Sequence, residues 1–191
     1  LFRSNKKALF LFDQNAASFF IWNKMSLIKE VENIARSLGE KILQLRDNGP
    51  VDGIWIGNQL KTDADMMAHQ FLAHELPKIK DDIPVISEES DLGKDGKRPD
   101  VYWLIDPIDG TASYANGFDG FTIHISLMDN LKATMAVVYA PALNEMFTAE
   151  LGLGAYCNDK PLHIIKNKKI RSLIDNYPEP RGTAEYLCNE L

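Results

Sequence analysis

Apolar residues recur along this chain with two different periods, and the change from one to the other separates helices from strands. From Ser26 the positions Val31, Ile34, Ala35, Leu38, Ile42 and Leu45 return every third or fourth residue, which predicts an amphipathic helix stopped by Asp47-Asn48-Gly49-Pro50. Ile54-Trp55-Ile56 is a short strand between Gly53 and Gly57, and 57–61 reads as a loop. Ala64, Met67, Ala68, Phe71 and Leu72 then place a second helix over about Asp63 to Leu76, with Pro77 ending it. His69 and His74 on that helix are spaced neither i+3 nor i+4, so they read as surface histidines and not as a metal pair.

Beyond the second helix the period falls to two. Pro84 to Glu88 is a strand, and the polar stretch Asp91 to Pro99, with Lys94, Lys97 and Arg98, is a solvated loop. Phe121, Ile123, Ile125 and Leu127 alternate with Thr122, His124, Ser126 and Met128, the pattern of a half-buried strand with His124 on its polar face. Met135 to Tyr139 and Glu145 to Ala149 continue as strands around Pro141, and Gly152 and Gly154 precede Ala155-Tyr156-Cys157. Two helices followed by short successive strands predict an α+β fold in which the helices pack on an antiparallel sheet.

Two apolar runs end on carboxylates. Ile83 to Ile86 leads into Ser87-Glu88-Glu89-Ser90, and Val101 to Ile105 leads into Asp106-Pro107-Ile108-Asp109-Gly110-Thr111. Pro107 cannot extend a ladder, so a turn is expected there that brings Asp109 back towards Asp106. Gly110 permits close backbone approach to a ligand, and Thr111 can cap and open a short helix. Free N–H groups attract an anion while the carboxylates attract a cation, a pairing that a phosphate bridged to a divalent ion satisfies. Mg²⁺ prefers oxygen donors, so Glu88, Asp106, Asp109 and the Ile108 carbonyl would suffice to hold it. Either segment alone would read as a solvated acidic turn. Together they favour a metal site.

Composition narrows the partners. The chain has 191 residues, 45% hydrophobic and 25% charged, enough for one packed domain. A net charge of −6 gives no broad footprint for a nucleic acid polymer, while a small anionic substrate stays compatible once a metal reverses the local sign. Cys157 and Cys188 make neither a disulfide framework nor a metal knuckle, which suits reduced thiols and a cytoplasmic location. In residues 1–24, Asp13, Gln14 and Asn15 interrupt the apolar stretch, which is too short to span a bilayer. With Met25 as the expected natural start, 1–24 is read as an extension outside the fold and not as a membrane segment.

The pair "ISEES" and "WLIDPIDGT" resembles the signature of the inositol monophosphatase family, Mg²⁺-dependent and lithium-sensitive phosphomonoesterases. The resemblance continues through "GFTIHISL" and "MAVVYAPALNEMFTAELGLGAYCNDKPL", with Thr62-Asp63-Ala64-Asp65 in place of the family's T-x-A-D. It implies an inositol-phosphatase-like layered fold, with 25–165 as its N-terminal, metal-carrying domain and 166–191 as the start of a C-terminal region. It further implies that Glu88, Asp106, Asp109 and the Ile108 carbonyl bind metal and that Thr111, assisted by Asp65, orients the attacking water. Gly110 and Thr111 would hold the phosphate through their backbone, in a substrate-binding set completed by Glu88, Ile108 and Asp109. A haloacid-dehalogenase phosphatase is excluded, because Pro107 stands where its nucleophilic Asp would be.

On this resemblance the substrate is a small phosphate ester. Inositol monophosphate leads, with a 3′(2′),5′-bisphosphonucleotide as the alternative. Two other readings stay open. The family's second domain carries a Trp-Asp motif, and Trp22, Trp55 and Trp103 are not followed by Asp, so a truncated, non-catalytic product is one expectation. A homodimer, formed through an apolar face that a missing neighbour would leave bare, is the other.

Overall fold

The computed structural model describes residues 14–49, 51–56, 59–80, 83–87, 89–90 and 97–163. Its first helix, α1, spans Gln14–Asp47 and so runs through Met25 without a break, further back than the start expected at Ser26. Ile28, Val31, Ala35, Leu38 and Ile42 form its buried stripe, whereas Leu45, expected on the same face, is exposed. The helix α2, Asp63–Ile79, buries Ala64, Ala68, Leu72 and Leu76. It does not end at Pro77, which lies inside it. In the last turn the missing proline N–H forfeits a single helical bond, and burial of Leu76 outweighs that loss.

Between the helices, β1 (Gly53–Ile56) and β2 (Gln59–Thr62) form an antiparallel hairpin with Gly53 opposite Thr62. The expected loop over 57–61 is therefore partly strand. Backbone pairing, and not side-chain pattern, makes Gln59-Leu60-Lys61-Thr62 extended, since only Leu60 among them is apolar.

The remaining strands build one sheet: β3 (Val85–Ile86), β4 (Val101–Asp109), β5 (Thr122–Asp129), β6 (Lys132–Ala140), β7 (Glu145–Glu150), β8 (Gly154–Cys157) and β9 (Lys160–Pro161), in sequence order across it. Every neighbouring pair is antiparallel except β3 and β4, which run parallel, so the sheet is mixed at that edge. A parallel pair ends both strands on the same side of the sheet, and it is there that the two carboxylate segments emerge. The two-residue turns Asn130-Leu131 and Asn158-Asp159 have both central φ angles positive, the type I′ geometry that suits the twist of a hairpin.

Both helices belong to one core with the sheet. Trp103, Ile105, Ile123, Ile125, Met135, Val137 and Met146 meet the buried stripes of α1 and α2. Helix α1 comes close to β6 at Gly39, where an added Cβ would stand 2.6 Å from the Tyr139 ring. Lys29 pairs with Glu32 and with Asp159, clasping α1 to the β8–β9 turn. The result is a layered α+β fold with its helices on the sheet, as the sequence implies.

Candidate active site

The site forms where β4 loses its regular pleat. Asp106 pairs with His124 and Asp109 with Thr122, so three steps on β4 span two on β5 and one extra residue is accommodated between the two aspartates. The strand bulges at Pro107-Ile108 and does not turn there as expected. A bulge tolerates a residue without an N–H, and the extra residue returns Asp109 to the side of Asp106. Asp109 consequently comes beside His124, the register partner of Asp106, whose Nε2 is 3.6 Å from Asp109 Oδ2 and 2.8 Å from Thr122 Oγ1. Asp106 is half-buried and Asp109 exposed.

Gly110 follows at φ 87°, ψ 35° and is the N-cap of a short helix, α3, Thr111–Ala115. Its left-handed backbone and its packing both require glycine, for a Cβ would come within 2.7 Å of the Gly120 carbonyl oxygen. Thr111 is thus the first helical residue and not the cap. Its hydroxyl points elsewhere, lying 2.8 Å from Asp65 Oδ1 and 3.0 Å from the Ile108 carbonyl and donating its single proton between them.

Asp65 is in turn fixed from the start of α2. It is buried, at 3% exposure, and its Oδ2 accepts from the N–H of the N-cap residue Thr62 at 2.7 Å and from the Thr62 hydroxyl at 2.6 Å. With the Thr62 side chain also facing the Asp65 backbone N–H, this helix start is a capping box. The other carboxylate oxygen is left to face Thr111, and this contact joins two segments 46 residues apart. Thr62 and Asp65 are therefore a helix start and a link to Thr111 at once.

The third segment is tied in beside them. Lys61 donates to Glu89 Oε1 at 2.7 Å, and the backbone N–H of Ser87 donates to Ser90 Oγ at 3.1 Å. His69 Nδ1 is 2.8 Å from the buried Ser87 hydroxyl, so this half-buried histidine also serves the end of β3, whereas His74 is exposed beside Glu75. Of the residues singled out from sequence, the structure brings together Asp65, Asp106, Ile108, Asp109, Gly110 and Thr111. Glu88 lies outside the described residues, as do Lys94, Cys188 and the whole of 166–191. Among the described residues no group of three or more His, Cys, Asp or Glu side chains is set to hold a metal.

Sequence reasoning missed the positions of His124 and Lys61. Alternation placed His124 on the polar face with Thr122, but its nearness to Asp109 depends on the β4–β5 register, which no local pattern encodes. No local signal marks the pairing of Lys61 with Glu89, 28 residues away. The donors at the bulge are the Asp106 and Asp109 carboxylates and the Ile108 carbonyl. An oxygen-only set that is partly open to solvent suits a hard cation such as Mg²⁺.

The chain is similar to known proteins in sequence and in fold. The profile of the inositol monophosphatase family matches residues 25–181. The chain is 36% identical over 129 residues to the 3′(2′),5′-bisphosphate nucleotidase CysQ of Escherichia coli O157:H7, covering 66% of this chain and 52% of that protein. It is 31% identical over 152 residues to the inositol-1-monophosphatase of Rhizobium meliloti strain 1021, covering 78% of this chain and 53% of the relative. Among solved structures, an IMPase of Thermotoga maritima superposes with a TM-score of 0.64 at 28% identity, over 75% of this chain and 54% of that one. The chain thus spans about half the length of the curated relatives it matches. Among the described residues no helix is long and apolar enough to cross a membrane.

Proposed function

Since the chain belongs to the inositol monophosphatase family, we propose that the protein hydrolyses a small phosphate monoester with Mg²⁺, releasing inorganic phosphate. The observation that carries this reading is the contact between Thr111 and Asp65 beside the Asp106–Asp109 bulge. Glu88, Asp106, Asp109 and the Ile108 carbonyl would hold Mg²⁺, which when bound supplies charge to activate water and to neutralise the phosphoryl oxygens.

The chain's own residues then act by position. Thr111 gives its proton to Asp65, so the lone pairs of its oxygen are free to accept a hydrogen bond from a water and aim that water's oxygen at phosphorus. Asp65, anchored by Thr62, keeps the hydroxyl in this orientation. The N–H groups of Gly110 and Thr111 open α3, have no helical acceptor, and would hold phosphate oxygens. No side chain need become phosphorylated. Phosphoryl transfer asks chiefly for alignment and charge stabilisation, which direct in-line attack by water satisfies. The same reading places the enzyme in the cytoplasm with a small phosphorylated metabolite as its partner.

Inositol monophosphate is the leading substrate. The bisphosphonucleotide is a second reading, supported by the higher identity to the nucleotidase CysQ. Phosphate release by the full-length protein from inositol 1-phosphate, adenosine 3′,5′-bisphosphate and fructose 1,6-bisphosphate separates them. Preference for the inositol ester is expected, and preference for the bisphosphonucleotide would replace it with the second reading. In the same assay Thr111→Ala should lower kcat by about 100-fold or more with little change in metal affinity. A defect confined to metal binding would reduce Thr111 to a structural residue.

A further inference from the structure

We propose that Arg46 is a positioning residue of this site, whose guanidinium fastens the loop 118–121 against Gly110 and thereby sets the backbone N–H groups that receive the phosphate. The inference rests on the phosphate-holding reading of Gly110 and Thr111 above. Arg46 stands in the last turn of α1, remote from Gly110 in sequence, and reaches this loop at successive points. Its Nη1 donates to the Phe118 carbonyl at 3.2 Å, its Nη2 is 3.6 Å from Asp119 Oδ1, and its guanidinium carbon sits 5.2 Å from the centre of the Phe121 ring. The arginine side chain is only 18% exposed.

The loop in turn lies directly on Gly110. A Cβ there would stand 2.7 Å from the Gly120 carbonyl oxygen and 3.3 Å from the Phe121 Cα, so the backbone of 120–121 is the wall against which the glycine sits. Burial does not hold that wall in place, because 116–120 are exposed, Phe118 included, and Phe121 alone in the loop is buried. An exposed ion pair by itself contributes little. A planar fork that meets a carbonyl, a carboxylate and a ring face together fixes an orientation that a single point charge would not. Helix α1 grips the neighbouring element as well, since the Ile42 carbonyl accepts from Tyr114 of α3. Positions 42 and 46 share a helix face, so α1 holds α3 and the loop that follows it from one side.

Inorganic phosphate titrated into the full-length protein in the presence of Mg²⁺, followed by calorimetry, reads this role directly, with thermal unfolding of each variant run in parallel. Arg46→Met keeps the apolar stem and removes the fork, and it is expected to raise the phosphate dissociation constant about tenfold. Arg46→Lys keeps a cation above Phe121 without the fork and should weaken phosphate by about threefold. Lys29→Met serves as the control for general loosening of α1. It breaks the ion pairs of Lys29 with Glu32 and Asp159, away from the loop, and should leave phosphate binding within about twofold of the original.

Unchanged phosphate binding in folded Arg46→Met, or an equal loss in Lys29→Met, would overturn the proposal while leaving the phosphate reading in place. Where Arg46→Met does not fold, an unchanged constant in Arg46→Lys overturns it instead. A native protein that binds no phosphate in the presence of Mg²⁺ would overturn the reading of Gly110 and Thr111 itself, and this inference with it.

Discussion

Asp65 occupies the position in which one side chain does the most. Itself buried, it accepts from the backbone and hydroxyl of Thr62 with one oxygen and from the half-buried Thr111 with the other. Removing it strands several donors together, and the cost of an orphaned buried donor exceeds the net gain of a made bond. Asp65→Ala is therefore expected to lose about 2–4 kcal/mol in urea unfolding. A loss under about 0.5 kcal/mol would mean that Thr62 and Thr111 find other partners easily. At this scale the sequence was informative where a residue ended a pattern. Asp106 and Asp109 stood out because they close an apolar run. Lys61 did not, because its partner is remote in sequence and a lysine before a helix start is ordinary. Thr111 was placed correctly but in the wrong role, as a cap, since the cap at Gly110 is made by a left-handed backbone that no side chain announces.

At the scale of elements, the short helix α3 is held to the long helix α1 by Tyr114. This residue is fully buried, donates from its hydroxyl to the Ile42 carbonyl at 2.8 Å, and meets Phe121 edge-on at 5.2 Å. Burial pushes its phenol above the ordinary value of 10.0. The folded state therefore favours the protonated form, so this stabilisation is complete below pH 10.0 and is lost as pH rises beyond it. Tyr114→Phe is expected to cost about 1 kcal/mol near neutrality, by removing the buried hydrogen bond to the Ile42 carbonyl. The deficit should shrink above that pH, because the variant has no phenol to ionise. A stability difference that stayed constant to high pH would argue against the buried phenol. Elements with strong periodicity, α1, α2 and β5, were legible in the sequence. The strand β2 was not, for its residues carry no alternation, and the β4 bulge was read as a turn because Pro107 is compatible with both.

At the scale of the molecule, the sheet order and the parallel pairing of β3 with β4 bring two segments to one side, where the start of α2 joins them. Succession of strands predicted a sheet, but the parallel edge could not be read from it, since direction depends on how the chain crosses between 86 and 101 and not on local pattern. The family was legible earlier than the fold, because the motif around Asp106 is far more specific than any single period. The central claim is that this geometry supports metal-dependent phosphate release. Its most direct test is phosphate release by the full-length protein on its preferred ester, with and without Mg²⁺, beside the Asp106→Asn variant. Release that requires Mg²⁺ and falls by about 100-fold or more in a folded Asp106→Asn protein is the predicted result. Equal release without Mg²⁺, or an Asp106→Asn variant as active as the original, would contradict the account.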